Sequence, residues 1–201
     1  MFIITADQID STHLDDIAGE TVNTLNERYG SELALPADRT AGDEIQVLAS
    51  SATTALAVVL DLTRTGQWSV GCGVGAVRTP LPKNTREATG PGFIAARAAV
   101  GQAKGAQWRF ALVTEASLGS ADPGPLIDLL LLLRSRRTRE GWELFDLVAA
   151  GMTQADAAIE LRITPQAASK RARAAGIRTE LAAMPALADA LANSDVSRLE
   201  H

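Results

Sequence analysis

The chain opens on an apolar run, Phe2 to Ala6, that stops at Asp7 and predicts a first strand. Leu14, Ile17, Ala18, Val22 and Leu25 then fall mostly three or four positions apart. That spacing predicts a helix from His13 to about Tyr29. A polar stretch, Pro36 to Thr40, leads to the turn signal Gly42-Asp43-Glu44, and Ile45 to Ala49 reads as a strand. Ser51 to about Thr63, built of Ala, Leu and Val, is expected to be helical. Gln67 to Val77 alternates as a strand, weakened by Gly71, Gly73 and Gly75, whose spacing suits a strand approached closely by other backbone. A Pro- and Gly-rich loop from Thr79 to Gly92 precedes a helix, Phe93 to about Gln102, and a strand, Trp108 to Thr114.

Without the extra helix, this order is βαββαβ. The expected fold class is therefore α+β, with a ferredoxin-like first domain over residues 1–116. Ser117 to Pro125 has linker composition, and from there to residue 198 the pattern predicts only helices. One runs from Leu126 to about Arg136, and Thr138 is placed to cap the next, Arg139 to Ala150. Leu181, Met184, Leu187 and Leu191 mark a last one. Leu126–Leu133 is apolar nearly all round, so burial is expected, within the domain or against a second subunit. The final Leu199-Glu200-His201 reads as a vector remnant preceding a purification tag.

Chemistry concentrates in GMTQADAAIELRITPQAASKRARAAGIR, Gly151 to Arg178. Thr153 can cap one short helix, with Asp156 at capping-box spacing, and Thr164 can cap a second with Pro165 in its first position. Gln166, Ser169, Lys170, Arg171 and Arg173 should face outward, with Ala168, Ala172 and Ala175 inward. Gln, Ser, Lys and Arg are the side chains that bond base edges and phosphates, which is the pattern of a DNA-binding helix-turn-helix. The expected base readers are Gln166, Ser169 and Lys170, and the expected phosphate contacts are Arg171, Arg173 and Arg162. A helical hairpin with a merely solvated basic face, or with a protein-binding one, stays open beside this. The segment resembles the helix-turn-helix of bacterial regulators and sigma-factor-like domains, in which TQxxxAxxLxIxxxxxSKR recurs. Arg162 stands where many of those have glycine, so it must make the turn without glycine's access to positive φ.

Charge sharpens this picture. The chain of 201 residues carries −5 overall. Arg134 to Arg178 nevertheless holds nine basic and five acidic residues, and the remainder ten basic and nineteen acidic. A basic module joined to an acidic one would dock on DNA by one face only. Aromatics are 4% of the chain, so the cores must be aliphatic. The single cysteine, Cys72, excludes a disulfide framework and reads as a small buried residue. With no signal-peptide pattern and no apolar run long enough to span a bilayer, a cytoplasmic protein without membrane partners is expected. His13 and His201 are the only histidines, so a histidine-based metal site or triad is not available. Apolar helices flanking a helix-turn-helix point to a homodimer, because palindromic sites demand two reading heads.

In the first domain, Asp7 ends the first strand in TADQID, Asp43 and Glu44 lie in GDEIQ, and GPGFIAAR spans Gly90 to Arg97. Over residues 1–115 this combination resembles the SatD family of bacterial proteins. The hairpin also resembles that of nucleotide cyclases and GGDEF diguanylate cyclases. The resemblance implies a ferredoxin-like core, with Asp7 and Asp43 or Glu44 holding Mg²⁺ for phosphoryl transfer. The Asn–Arg pair of those cyclases is missing: Ile94 stands in its region and Arg97 is out of step. The expectation is therefore a cyclase-like domain without catalysis, used for sensing or dimerisation. The alternative is a Mg²⁺-dependent nucleotide-processing enzyme on Asp7, Asp43 and Glu44. A ligand site for Mg²⁺ or a nucleotide would lie between Asp7, Asp43, Glu44 and the Gly90–Gly92 loop, with Arg97 near. Turn residues without a ligand explain the same acids.

Overall fold

The computed structural model describes residues 1–11, 15–40, 42–114 and 122–195. It is a mixed α+β structure. The chain divides into two compact units, Met1–Asp128 with the chain from Leu187 onward, and Leu129–Ala186. The expected linker residues 117–121 and the Leu199–His201 remnant lie outside the described residues.

The first unit is built on β1 (Phe2–Gln8), α1 (Ala18–Tyr29), β2 (Leu33–Arg39), β3 (Glu44–Ala49), α2 (Ala52–Arg64), β4 (Trp68–Val74), α3 (Pro91–Ala103) and β5 (Phe110–Thr114). The five strands lie in the order β2-β3-β1-β4-β5. β1 runs antiparallel to both β3 and β4, β2 is antiparallel to β3, and β5 is parallel to β4. β1 is central and almost wholly buried, which explains its unbroken apolar run.

Alternation along β1 sorts the two faces. Ile3, Thr5 and Asp7 point one way, toward α3, where Ile3 and Leu48 pack with Ala96. Gln8 points the other way, and its amide bonds the Asp15 carbonyl (2.8 Å) and the Ile17 N–H (3.3 Å) at the start of α1. Helix α3 lies almost on the backbone of β4. A Cβ on Gly71 would sit 2.1 Å from Val100 N, and one on Gly73 would sit 2.2 Å from Ala96 N. Those two glycines are therefore required by contact. Between them Cys72 is fully buried, and desolvation pushes its thiol up to about 12.

Beyond small shifts of element ends, among them α4 starting at Gly124 inside the expected linker, the structure departs from the sequence reading in four places. Pro36–Thr40 is not a simple polar lead to a turn, because Leu33–Arg39 forms β2. It is an edge strand with register shifts around Leu35, where proline is tolerated. Asn26 of α1 holds it by taking the Ala37 N–H (2.7 Å) and donating to the Ala37 carbonyl (3.0 Å). α1 begins at Ala18, later than expected, and His13 and Leu14 lie outside the described residues. The Thr79–Gly92 loop contains a short 3₁₀ turn, Thr85–Glu87, and α3 starts two residues early, at Pro91.

The second unit takes in most of α4 (Gly124–Ser135), α5 (Arg139–Ala149), α6 (Gln154–Glu160), α7 (Pro165–Ala174) and the start of α8 (Ile177–Ala192). Helices α5, α6 and α7 pack pairwise around Leu144, Ala157, Ala172, Ala175 and Ile177. In α4 only one side is buried within the chain, the fourth departure: Leu126 and Leu129 are 50% and 63% exposed, while Ile127, Leu130 and Leu131 are buried, so burial within the domain does not extend all round the helix.

Candidate nucleic-acid interface

Helices α6 and α7 are capped as their sequence requires. The Thr153 hydroxyl accepts the Asp156 N–H at 3.1 Å and donates to the Asp156 carboxylate at 2.7 Å. The Thr164 hydroxyl accepts the Ala167 N–H at 3.1 Å. Each cap contributes about 1 kcal/mol and fixes where its helix begins. Between them, Arg162 makes the turn at φ +53°. The Ile163 N–H reaches back to the Ala158 carbonyl (2.9 Å) and the Arg162 N–H to the Ile159 carbonyl (3.0 Å). This is a Schellman ending with arginine in the position that glycine usually takes. Gly151 and Gly176 hold the corresponding left-handed positions after α5 and α7.

Helix α7 is thereby fixed with one stripe in and one out. Ala168 and Ala172 are buried, and Gln166, Ser169, Lys170 and Arg173 are exposed, as are Thr164 and Arg162 just before it. Arg171 is half-buried on the flank. The residues expected to read bases, Gln166, Ser169 and Lys170, thus share an open face with Arg173 and Arg162.

Two of the nine basic residues counted from sequence do not belong to any such face. Arg134 and Arg137 are buried, and each donates to a different carboxylate oxygen of buried Glu180 at 2.5 Å. The Arg137 guanidinium also donates twice to the Ala175 carbonyl at the end of α7, at 2.8 and 3.1 Å. Trp142 and Phe145, edge to face at 5.4 Å between centroids, take up both cations. The Arg137 Cζ lies 4.4 and 4.3 Å from the two ring centroids, and the Arg134 Cζ lies 4.7 and 5.5 Å from them. Ring faces attract cations electrostatically, which compensates the second buried positive charge. The sequence reading missed this cluster, because its members are spread from residue 134 to 180 and only the fold assembles them.

The acidic candidates of the first unit gather in part. Asp7 and Glu44 are direct partners in the β1–β3 register. Each carboxylate already has a cation from the α3 side: Lys104 Nζ lies 2.7 Å from Asp7, and Arg97 Nη1 lies 2.5 Å from Glu44. Asp43 accepts the Ser11 hydroxyl. Gly90 and Gly92 are not at this end. Gly92 packs over Ile3, four residues and about 13 Å along β1 from Asp7. Its N–H is donated to the Ala76 carbonyl at 3.0 Å. The expected cradle is therefore split between opposite ends of the sheet. Among the described residues, no three His, Cys, Asp or Glu side chains converge as a metal site requires. No helix among them is long and apolar enough to cross a membrane. No family model, curated protein or solved structure matches the chain.

Two substitutions test this geometry. Glu180→Gln leaves two buried guanidiniums without their carboxylate and is expected to cost about 3–5 kcal/mol, against under about 0.5 for exposed Arg136→Ala. Urea unfolding of both variants measures it, and equal midpoints would overturn the buried cluster's role. Arg162→Gly relieves the left-handed arginine and should gain up to about 1 kcal/mol, less what glycine's freedom adds to the unfolded chain. Thermal unfolding reads it, and a loss of stability would mean that the side chain holds the turn.

Proposed function

We propose that this protein is a cytoplasmic bacterial DNA-binding protein, a transcriptional regulator that enters the major groove with α7. The observation that carries the reading is the single uncovered stripe of Gln166, Ser169, Lys170 and Arg173 on a helix capped and backed by alanines. Such side chains on one face match the donors and acceptors of base edges and phosphates. The helical unit Leu129–Ala186, the compact part of the expected 126–198 domain, acts as the reading domain.

The first unit, in this reading, is a ferredoxin-like core of the SatD and cyclase-like kind, widened by α3 and β5. The strand order β2-β3-β1-β4 with antiparallel neighbours supports that reading. It serves regulation or assembly and performs no chemistry, since Arg97 and Lys104 occupy the carboxylates that a metal would need. The active form is a homodimer on double-stranded DNA. Exposed Leu126 and Leu129 supply apolar surface for a second copy to cover.

Replacing Lys170 and Arg173 together by alanine should weaken duplex binding and flatten its salt dependence by about one unit of slope for the phosphate contact of Arg173. Salt titration on random duplex measures this, and selection of enriched sequences tests for a palindrome. An unchanged slope would remove α7 from the interface.

One observation keeps the nucleotide alternative in view: Asp7 sits directly opposite Glu44, the pairing that the cyclase resemblance implies for Mg²⁺. Calorimetry with Mg²⁺ and a panel of nucleoside triphosphates tests it. Heat that disappears in Asp7→Asn would support a ligand site, and no heat with any nucleotide would end that reading.

A further inference from the structure

The exposed stripe of α7 is bordered on each side by a hollow. One, of about 320 Å³, is lined by Arg136, Thr138, Lys170, Arg171 and Ala174 among others. The other, of about 180 Å³, is lined by Gln154, Ser169, Arg173, Arg178 and Thr179 among others. Successive helical residues turn by about 100°, so Arg171 and Ala174 fall on one flank of α7 and Ser169 and Arg173 toward the other, with Gln166 between. The hollows therefore lie left and right of the stripe assigned to base edges.

Their chemistry is the same. Three cationic side chains wall the first and two wall the second, and no carboxylate lines either. The α5 amides are not what makes the first hollow attractive to an anion. Glu140 already takes its own backbone N–H and the Thr138 hydroxyl, and these with nearby Arg171 and Arg139 hold its carboxyl below the usual range. What remains for an incoming anion is the set of arginine and lysine side chains. Arg136 comes from the connection before α5 and Arg178 from the first turn of α8, so neither belongs to α6 or α7, the two helices of the motif.

A helix with its side chains, about 10–12 Å across, fills the major groove, which is about 12 Å wide. Each flank of such a helix then faces the sugar–phosphate wall of a different strand. We propose that the two hollows seat one phosphate each from the two strands, with Arg136 clamping one and Arg178 the other. This rests on α7 being the groove helix, and it assigns contacts to residues that the helix-turn-helix pattern does not include. A clamp on each strand fixes how deep and at what angle α7 lies before any base is read.

The test is the salt dependence of random-duplex binding by the full chain, by Arg136→Ala, by Arg178→Ala and by the double variant. Each single change should lower the slope of log affinity against log salt by about 0.9, and the double by about 1.8, alike on every sequence. The sequence enriched by selection should not change. Parental slopes in both single variants would overturn the clamps while leaving the DNA reading intact. A double variant no different from the singles would overturn the two-strand assignment. A parent that binds no duplex at low salt overturns both the clamps and the DNA reading.

Discussion

Arg137 is the constraint on which the helical unit depends. Its guanidinium bonds the Ala175 carbonyl, one of the last in α7, and the Glu180 carboxylate at the start of α8, while Trp142 and Phe145 of α5 hold its face. One side chain thereby fixes the end of α7 against two neighbouring helices. Desolvating a guanidinium is expensive, and it is tolerable here because carboxylate, carbonyl and ring faces surround it. The apolar core beside it is small, with Leu144 and Ile177 as its large buried members and Ala157, Ala172 and Ala175 adding little area each. Orientation of the exposed stripe therefore rests on this polar cluster together with apolar packing.

The first unit depends on a different device, backbone close to backbone. Gly71 and Gly73 let α3 approach β4 at a distance that no side chain permits. Close approach brings the far end of α3 within reach of the acidic corner, where Arg97 and Lys104 meet Glu44 and Asp7. The helix packed on β4 thus also neutralises the carboxylates at one end of β1 and β3. A metal ion entering that corner would have to compete with these two cations for the carboxylates, and both side chains are largely exposed, so each pairing is weak.

The helical part was the more legible from sequence. Thr153, Thr164, Pro165 and Gly176 each carry local chemistry that determines a helix end, and the structure uses each as expected. The strain at Arg162 was legible too, since only a left-handed residue completes that turn. The bounds of β2, the strand before the expected hairpin turn, were not, because edge strands lack the apolar alternation of central ones and Pro36 masks the pattern; a side chain from α1, Asn26, holds the strand in place. Nor was the fate of Arg134 and Arg137. A charge count treats every arginine alike, and only the fold decides which are desolvated. The expected cradle at Gly90 and Gly92 failed for a related reason: motifs in the right order along a chain can lie at opposite ends of a strand.

Each unit is held internally by forces that respond differently to heat. Apolar burial, which dominates the sheet unit, gains little per unit area as temperature rises. The penalty for desolvating charges falls, because hydration of ions carries an unfavourable entropy. The Arg134–Glu180–Arg137 cluster therefore becomes relatively cheaper to keep buried in warm solution. The chain carries a heat-tolerant tie in the unit that holds α7.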